Sequence, residues 1–353
     1  MMKKSLIVLF LLMIICLSGC QNTETEMDYE VQATEISLPD DHFIVGSMEH
    51  DDQGRMMLGG AYRTDDLSAT EAAIWRHSDK DGGWKKIFSK TFYSEKPGEM
   101  FVESKVYFTE KGAIICEIFF PADNIFDMHQ KLYYIKDLEN GVAEQIFKDR
   151  EFLLLSPIHC FSENNVYASD SFLSEVFKID LTKGTIEKII ILDHEYPLYE
   201  ICQDDYMYFF DFIPENQAKQ MLSDDDIENM FLNDPETFYE TYVEGIKYDI
   251  MNNKAVESEV AAKFGPYYFM LMDQSDYSYG ISLGADAKKD IIYFLYDKGL
   301  FKYDEKGETL LYSDKRWQTD DIELNILSVD EGNIYIEEFS STATAPRIFK
   351  ITV

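Results

Sequence analysis

Over most of the chain apolar and polar residues alternate one for one in short runs, and the runs are separated by glycine, asparagine and aspartate. Residues 176–184, VFKIDLTKG, show the pattern: an alternating run, then a Lys-Gly turn, then a second run, TIEKIIIL. A period of two places one set of side chains on one face of a strand, and the turn between two such runs is a hairpin signature. Reading outward gives four runs, LLLSPIHCF, VYASD, VFKIDL and TIEKIIIL. The same group recurs. Residues 42–89 hold HFIVGSMEH, RMMLGGAY, AAIWRHS and WKKIFS, and residues 101–147 hold FVESKVYFT, AIICEIFF, KLYYIKDL and AEQIF. Residues 198–262 hold LYEICQ, YMYFFDF, GIKYDI and AVESEVA, and residues 277–312 hold YSYGISLG, DIIYFLYD, GLFKYD and TLLYS. A sixth group, IELNILSV, NIYIEEF and RIFKITV, ends with the chain one strand short.

Four-stranded antiparallel units recurring at roughly 40–60 residues predict an all-β propeller, each unit one blade. The strand missing from the sixth unit is supplied by EVQATEISL (30–38), an orphan run ahead of the first. Its pairing beside RIFKITV closes the ring and removes the edges that an opening between blades would leave. Six blades is the expected count. Seven is the alternative, with FGPYYFMLMD (264–273) as the stretch that would supply the extra blade.

The periodicity shifts in one place. Residues 214–242 interrupt unit four with helical signals: Ser223 as N-cap, Asp224–Asp226 in the first turn, and Ile227, Met230 and Phe231 on one face. Asp234-Pro235 is a second cap-and-proline start, followed by Phe238 and Tyr242. In a propeller the second-to-third connections share a face with the links between blades. RTDDLSATE, PADNIFDMHQ and SSTATAP are long there, whereas turns on the opposite face, such as TEKG, LTKG and DEKG, are short hairpin chemistry. Long loops on a rigid ring are where binding residues concentrate, so the long-loop face is the expected functional face. Tyr62, Phe126, Phe212 and Tyr242 are its candidate cleft aromatics.

Composition narrows the partners. The 353 residues are 46% hydrophobic and carry 32 Lys+Arg against 66 Asp+Glu, a net charge of −34. Such a surface repels phosphate backbones and argues against nucleic acid; it admits cations and basic surfaces.

The N-terminus carries an address. MMKKSLIVLFLLMIICLSGC has a basic start, an apolar run over 6–17 and small residues before Cys20, which is signal-peptide anatomy. Leu17-Ser18-Gly19-Cys20 resembles the lipobox of bacterial lipoproteins. The resemblance implies cleavage before Cys20 and acylation of its thiol, so that residues 1–19 are a signal peptide, 20–29 a flexible tether and 30–353 the propeller. It also implies anchoring in the bilayer by Cys20 with the propeller facing outward; a monomer is expected, and the Ile/Lys/Asn-rich composition is in the style of a Gram-positive cell surface. Of the remaining cysteines, Cys116, Cys160 and Cys202 lie in apolar settings without ligand spacing and read as buried thiols.

The repeated FK-[I/Y]-D phrase with its glycine or asparagine turn resembles the blades of TolB-like and quinoprotein-like propellers. That resemblance implies fold, not activity. SDKDGGW (78–84) faintly resembles the Asp-box of sialidase-like propellers. Candidate chemistry rests on acids at the ends of second strands and at loop entrances: Asp65, Asp123, Asp170, Asp211, Asp297 and Glu338. A circlet of such carboxylates suits Ca²⁺, with Asp170 and Asp211 as first candidates, or a cationic ligand. Arg63 and Arg347 are placed to face the same mouth. No cofactor signature accompanies them. The expected function is a binding or sensing module for an extracellular protein, peptide or glycan. The alternative is an extracytoplasmic, carboxylate-dependent hydrolase or lyase assisted by Ca²⁺.

Overall fold

A computed structural model describes residues 31–63, 69–78, 83–93, 99–109, 112–121, 129–139, 141–147, 155–160, 165–170, 175–189, 199–203, 205–213, 223–274, 281–319, 321–340 and 346–353. They build six four-stranded antiparallel sheets. The N-terminal strand is β1 (Gln32–Ile36). Blade one is β2 (Ile44–His50), β3 (Met56–Arg63), β4 (Ala69–Ser78) and β5 (Gly83–Tyr93). Blade two is β6 (Glu99–Phe108), β7 (Ala113–Pro121), β8 (His129–Ile135) and β9 (Glu144–Ile146). Blade three is β10 (Leu155–Cys160), β11 (Asn165–Asp170), β12 (Glu175–Asp180) and β13 (Thr185–Ile189). Blade four is β14 (Tyr199–Gln203), β15 (Tyr206–Phe212), β16 (Val243–Asp249) and β17 (Lys254–Val256). Blade five is β18 (Ser282–Asp286), β19 (Ile291–Tyr296), β20 (Gly299–Asp304) and β21 (Gly307–Ser313). Blade six is β22 (Ile322–Asp330), β23 (Asn333–Ser340) and β24 (Arg347–Thr352), completed by β1.

The first strands of neighbouring blades touch, β2 with β6, β6 with β10, β14 with β18, β18 with β22, and β22 with β2. The fold is a six-bladed β-propeller. β1 runs antiparallel to β24, from Gln32 opposite Thr352 to Ile36 opposite Ile348, so the sixth blade is latched by both ends of the chain. Register also fixes where each end lies. Thr352 stands opposite Asn333, beside the tight turn between β22 and β23, and Val353 N donates to Gly332 O. β1 therefore starts on the short-turn face.

Alternation explains the core. On β7, Ala113 and Ile115 belong to the cluster shared with Met57, Ala72 and Ile74 of blade one, whereas Ile114, Cys116 and Ile118 pack with Val166 and Ala168 of blade three. The sheet of blade two thus buries both faces, one against each neighbour.

Blade four departs from expectation. Only Ala255 and Val256 of AVESEVA belong to a strand, β17; from Glu259 the chain is helical. FGPYYFMLMD, the candidate seventh-blade stretch, is the body of that helix. Among the described residues there are three α-helices: α1 (Asp224–Asn233), α2 (Pro235–Tyr242) and α3 (Glu259–Gln274). Caps of the first two form as the sequence indicates: Ser223 accepts from Asp226 N, and Asp234 accepts from Thr237 N ahead of Pro235 at the helix start. The buried face of α3 is Val260, Ala261, Phe264, Tyr268, Phe269 and Leu271, with Glu259, Ala262, Lys263 and Asp273 exposed; the run over 264–272 holds no charged residue, so its sequence shows no helical period. The helix contacts both blade four and blade five. No described helix is long and apolar enough to cross a membrane.

Candidate functional site

Connections from second to third strands lie on one face, and here they differ widely. α1 and α2 fill the one in blade four, and blade five turns the same corner with Asp297 and Lys298, both at positive φ (44° and 60°). This is the geometry of a two-residue type I′ hairpin. Around α1 and α2 the long-loop face carries an aromatic pile: Phe212 packs on Phe238, Tyr239 and Phe269, and Phe231 on Phe238. Phe231 and Leu232 remain exposed at its edge, Leu232 by 67%.

α3 is set in place by a polar node beneath this pile. Ser258 Oγ accepts from Ala261 N at the helix start and donates to Asp290 Oδ2 at 2.8 Å. Lys247 Nζ donates to Asp290 Oδ1 at 2.9 Å and to Ala287 O at 2.7 Å, and Tyr208 donates to Asp290 at 3.1 Å. Burial, followed by the Asp290 charge, pushes the Tyr208 hydroxyl well above its ordinary range, so it stays a donor. Along the helix, Gly245 and Gly265 allow backbone contact; a Cβ on Gly245 would fall 1.8 Å from Ala261 O.

Of the eight predicted site residues, Asp211, Asp297, Glu338 and Arg347 have described side chains. Asp65 and Asp123 lie outside the described residues. Arg63 and Asp170 end β3 and β11, opposite Thr70 and Glu175, and only their backbones are described. Asp211 is buried on β15, its Oδ1 accepting from Phe212 N. Asp297 is an exposed turn tip. Glu338 is buried and committed to structure. It accepts from Trp317 Nε1 at 2.8 Å and from Arg347, its cross-strand partner. That pairing also occupies Arg347, which lies over the Phe349 ring. Among the described residues no group of three or more His, Cys, Asp or Glu comes together to hold a metal. Trp317, carried by a single 3₁₀ turn before β22, had no sequence signal beyond its rarity.

Two further features went unsingled in the sequence. Glu117 interrupts AIICEIFF on the parity that faces blade one, and it is 1% exposed. Its Oε1 lies 2.6 Å from Ser104 Oγ, and its Oε2 is buried without a partner. Burial pushes its carboxyl up to about 8, against the smaller opposing effects of Ser104 and Lys90. A lone acid in a run of otherwise apolar or sulfur residues was the available signal. The second feature is an open depression of about 1300 Å³ on the short-turn face. It spans the turns of blades one to three and is lined by Glu49, Asp51, Asp52, Asp137, Glu139 and Glu144 with Arg55, Arg76 and Lys136. Arg55 pairs with Asp51, and Arg76 pairs with Glu139 from blade one to blade two. Short turns were expected to be hairpin chemistry alone. Their side chains nevertheless wall the concave space, because adjoining blades diverge outward from the ring.

No family model matches the chain, and no curated protein matches it. Solved structures do. The chain is similar to a catalytically inactive variant of virginiamycin B lyase from Staphylococcus aureus with quinupristin, at 11% identity over 92% of this chain and 100% of that one, TM-score 0.39. It is similar to a chain of a nidogen/laminin complex, at 10% identity over 84% of this chain and 98% of that one, TM-score 0.40. It is also similar to an acylaminoacyl peptidase, at 10% identity over 87% of this chain and 43% of that one, TM-score 0.42. Likeness at this level assigns no activity.

Proposed function

We propose that this propeller is a binding or sensing module, held by an acylated Cys20 on the outer side of a bacterial membrane, that presents its long-loop face to a protein, peptide or glycan. The observation that carries this reading is the start of β1 on the short-turn face. Ten residues, 21–30, separate Cys20 from the described strands and reach at most about 35 Å when extended. An anchor entering there joins the ring on its short-turn face, which is then nearest the attachment point, and the face bearing α1 and α2 is the one farthest from it. Exposed Phe231 and Leu232, in the last turn of α1, supply an apolar contact there.

The test has two arms. Wild type should sediment with membranes and Cys20→Ala should not; retention of the variant overturns the anchor. In anchored protein, a fluorophore on Asn229→Cys in α1 should transfer energy to a membrane dye less than one on Asn252→Cys in the β16–β17 turn. Equal or inverted transfer overturns the orientation while leaving the anchor standing.

A further inference from the structure

Among the described residues, second strands bury an acid in three blades, Glu117 of β7, Asp211 of β15 and Glu338 of β23, and the first and last are treated differently. Glu338 is matched by the Arg347 cation. Glu117 is met by hydroxyls. Ser104 Oγ lies 2.6 Å from Glu117 Oε1, Thr70 Oγ1 of blade one lies 3.0 Å from Ser104 Oγ, and Thr70 Oγ1 donates to Tyr62 O at 3.2 Å. Thr70 is 1% exposed and Ser104 4%. The line of contacts is therefore Glu117, Ser104, Thr70, Tyr62 carbonyl, crossing from blade two to blade one.

Counting protons decides the state of this line. It has three contacts and ends on a carbonyl, which only accepts. Two hydroxyls supply two protons. The third contact is filled only when the carboxyl carries a proton and donates to Ser104, which then donates to Thr70, which donates to Tyr62 O. With a carboxylate, Ser104 turns to donate to Glu117. Thr70 then serves either Ser104 or Tyr62 O, and one buried contact is lost. We infer that Glu117 is a protonated acid that clips blade one to blade two through Ser104 and Thr70, and that its ionisation opens the clip by one contact. The clip ends at Tyr62 and Thr70, which flank the second-to-third connection of blade one, so opening is felt at the stem of a long-face loop.

Among the described residues the charged groups that bear on Glu117 are Lys90 of β5 and Lys131 of β8. Lys90 favours ionisation, but its Nζ donates to Ala143 O and lies over the Phe92 and Tyr133 rings. Lys131 stands opposite Glu117 in register. Neither makes an ion pair with it.

The sign of the pH effect follows from linkage. The folded-state value, about 8, lies above the ordinary 4.5, so the folded protein holds a proton that the unfolded chain has released. This stability contribution is full below about pH 4.5, shrinks as pH rises, and is gone above about 8. Glu117→Gln keeps a donor toward Ser104 at every pH. Urea unfolding of wild type and E117Q from about pH 5 to about pH 9.5 should show E117Q gaining on wild type as pH rises, levelling above about pH 8 at roughly a thousandfold in the unfolding constant, about tenfold per unit. Thr70→Val should cost more at about pH 6, where two contacts are lost, than at about pH 9.5, where one is. A ¹³C-labelled Glu117 carboxyl should titrate near about 8. Titration near 4.5, or a wild-type to E117Q difference that does not change with pH, overturns the clip.

Discussion

Blades four and five are adjacent copies of one four-stranded sheet and differ at two corresponding places. The second-to-third corner takes two residues in blade five and holds two helices in blade four. The outermost strand is seven residues long in blade five (Gly307–Ser313) and three in blade four (Lys254–Val256), where α3 follows. The inner strands are alike in both. The lesson concerns which positions the ring constrains. A first, second or third strand is hydrogen-bonded or packed on several sides, whereas an outermost strand has one ladder partner. It can be shortened if another apolar element covers the neighbouring sheet, and α3 does so with Phe264 against Phe210 of blade four and Phe294 of blade five.

Substitutions can break this replacement. Phe264→Ala removes a fully buried ring from the blade four–five cluster and should cost about 4 kcal/mol in urea unfolding. Gly245→Ala forces a Cβ onto the Ala261 carbonyl of α3 and should cost about 3 kcal/mol; the equivalent change at the solvent-facing Gly54 has no neighbour to strike, although its φ of 71° adds local strain. Lys247→Met leaves Asp290 without its cation and should cost about 2 kcal/mol, reduced from the fully buried case because Asp290 is 31% exposed. Calorimetry should show this loss fading when Asp290→Asn is added.

Smaller effects sharpen the comparison at the corners. Asp297→Asn, at positive φ in the blade-five turn, should stabilise by about 0.5 kcal/mol, read as a raised Tm. Leu232→Ser on exposed α1 should leave stability within about 0.5 kcal/mol of wild type, with little change in Tm. On the binding proposal it should weaken capture of the partner, and unchanged capture would remove that surface from the interface.

Much of this architecture was legible because alternation at period two is a local property of a strand. Six units, their order and the sharing of blade six between β1 and β24 followed from counting runs, and capping at Ser223 and Asp234 followed from side chains that serve their own backbone. α3 was not legible in the same way. Its charged residues, Glu259, Lys263 and Asp273, sit near its two ends and the run over 264–272 between them has none to mark a stripe, so its length and glycine contacts, rather than its period, identify it.

Site chemistry divides along the same line. The sequence determined a propeller, an acidic surface and a set of candidate acids, since residue type, spacing and net charge are properties of the chain itself. Only the tertiary structure decided which acids were free to act. Glu338 is held by Arg347 and Trp317, and Glu117 by the Ser104 hydroxyl, itself in contact with Thr70 of the next blade, and those partners are distant in sequence or unremarkable in type. Whether a carboxyl is charged depends on what surrounds it in three dimensions, and the ring brings those surroundings together.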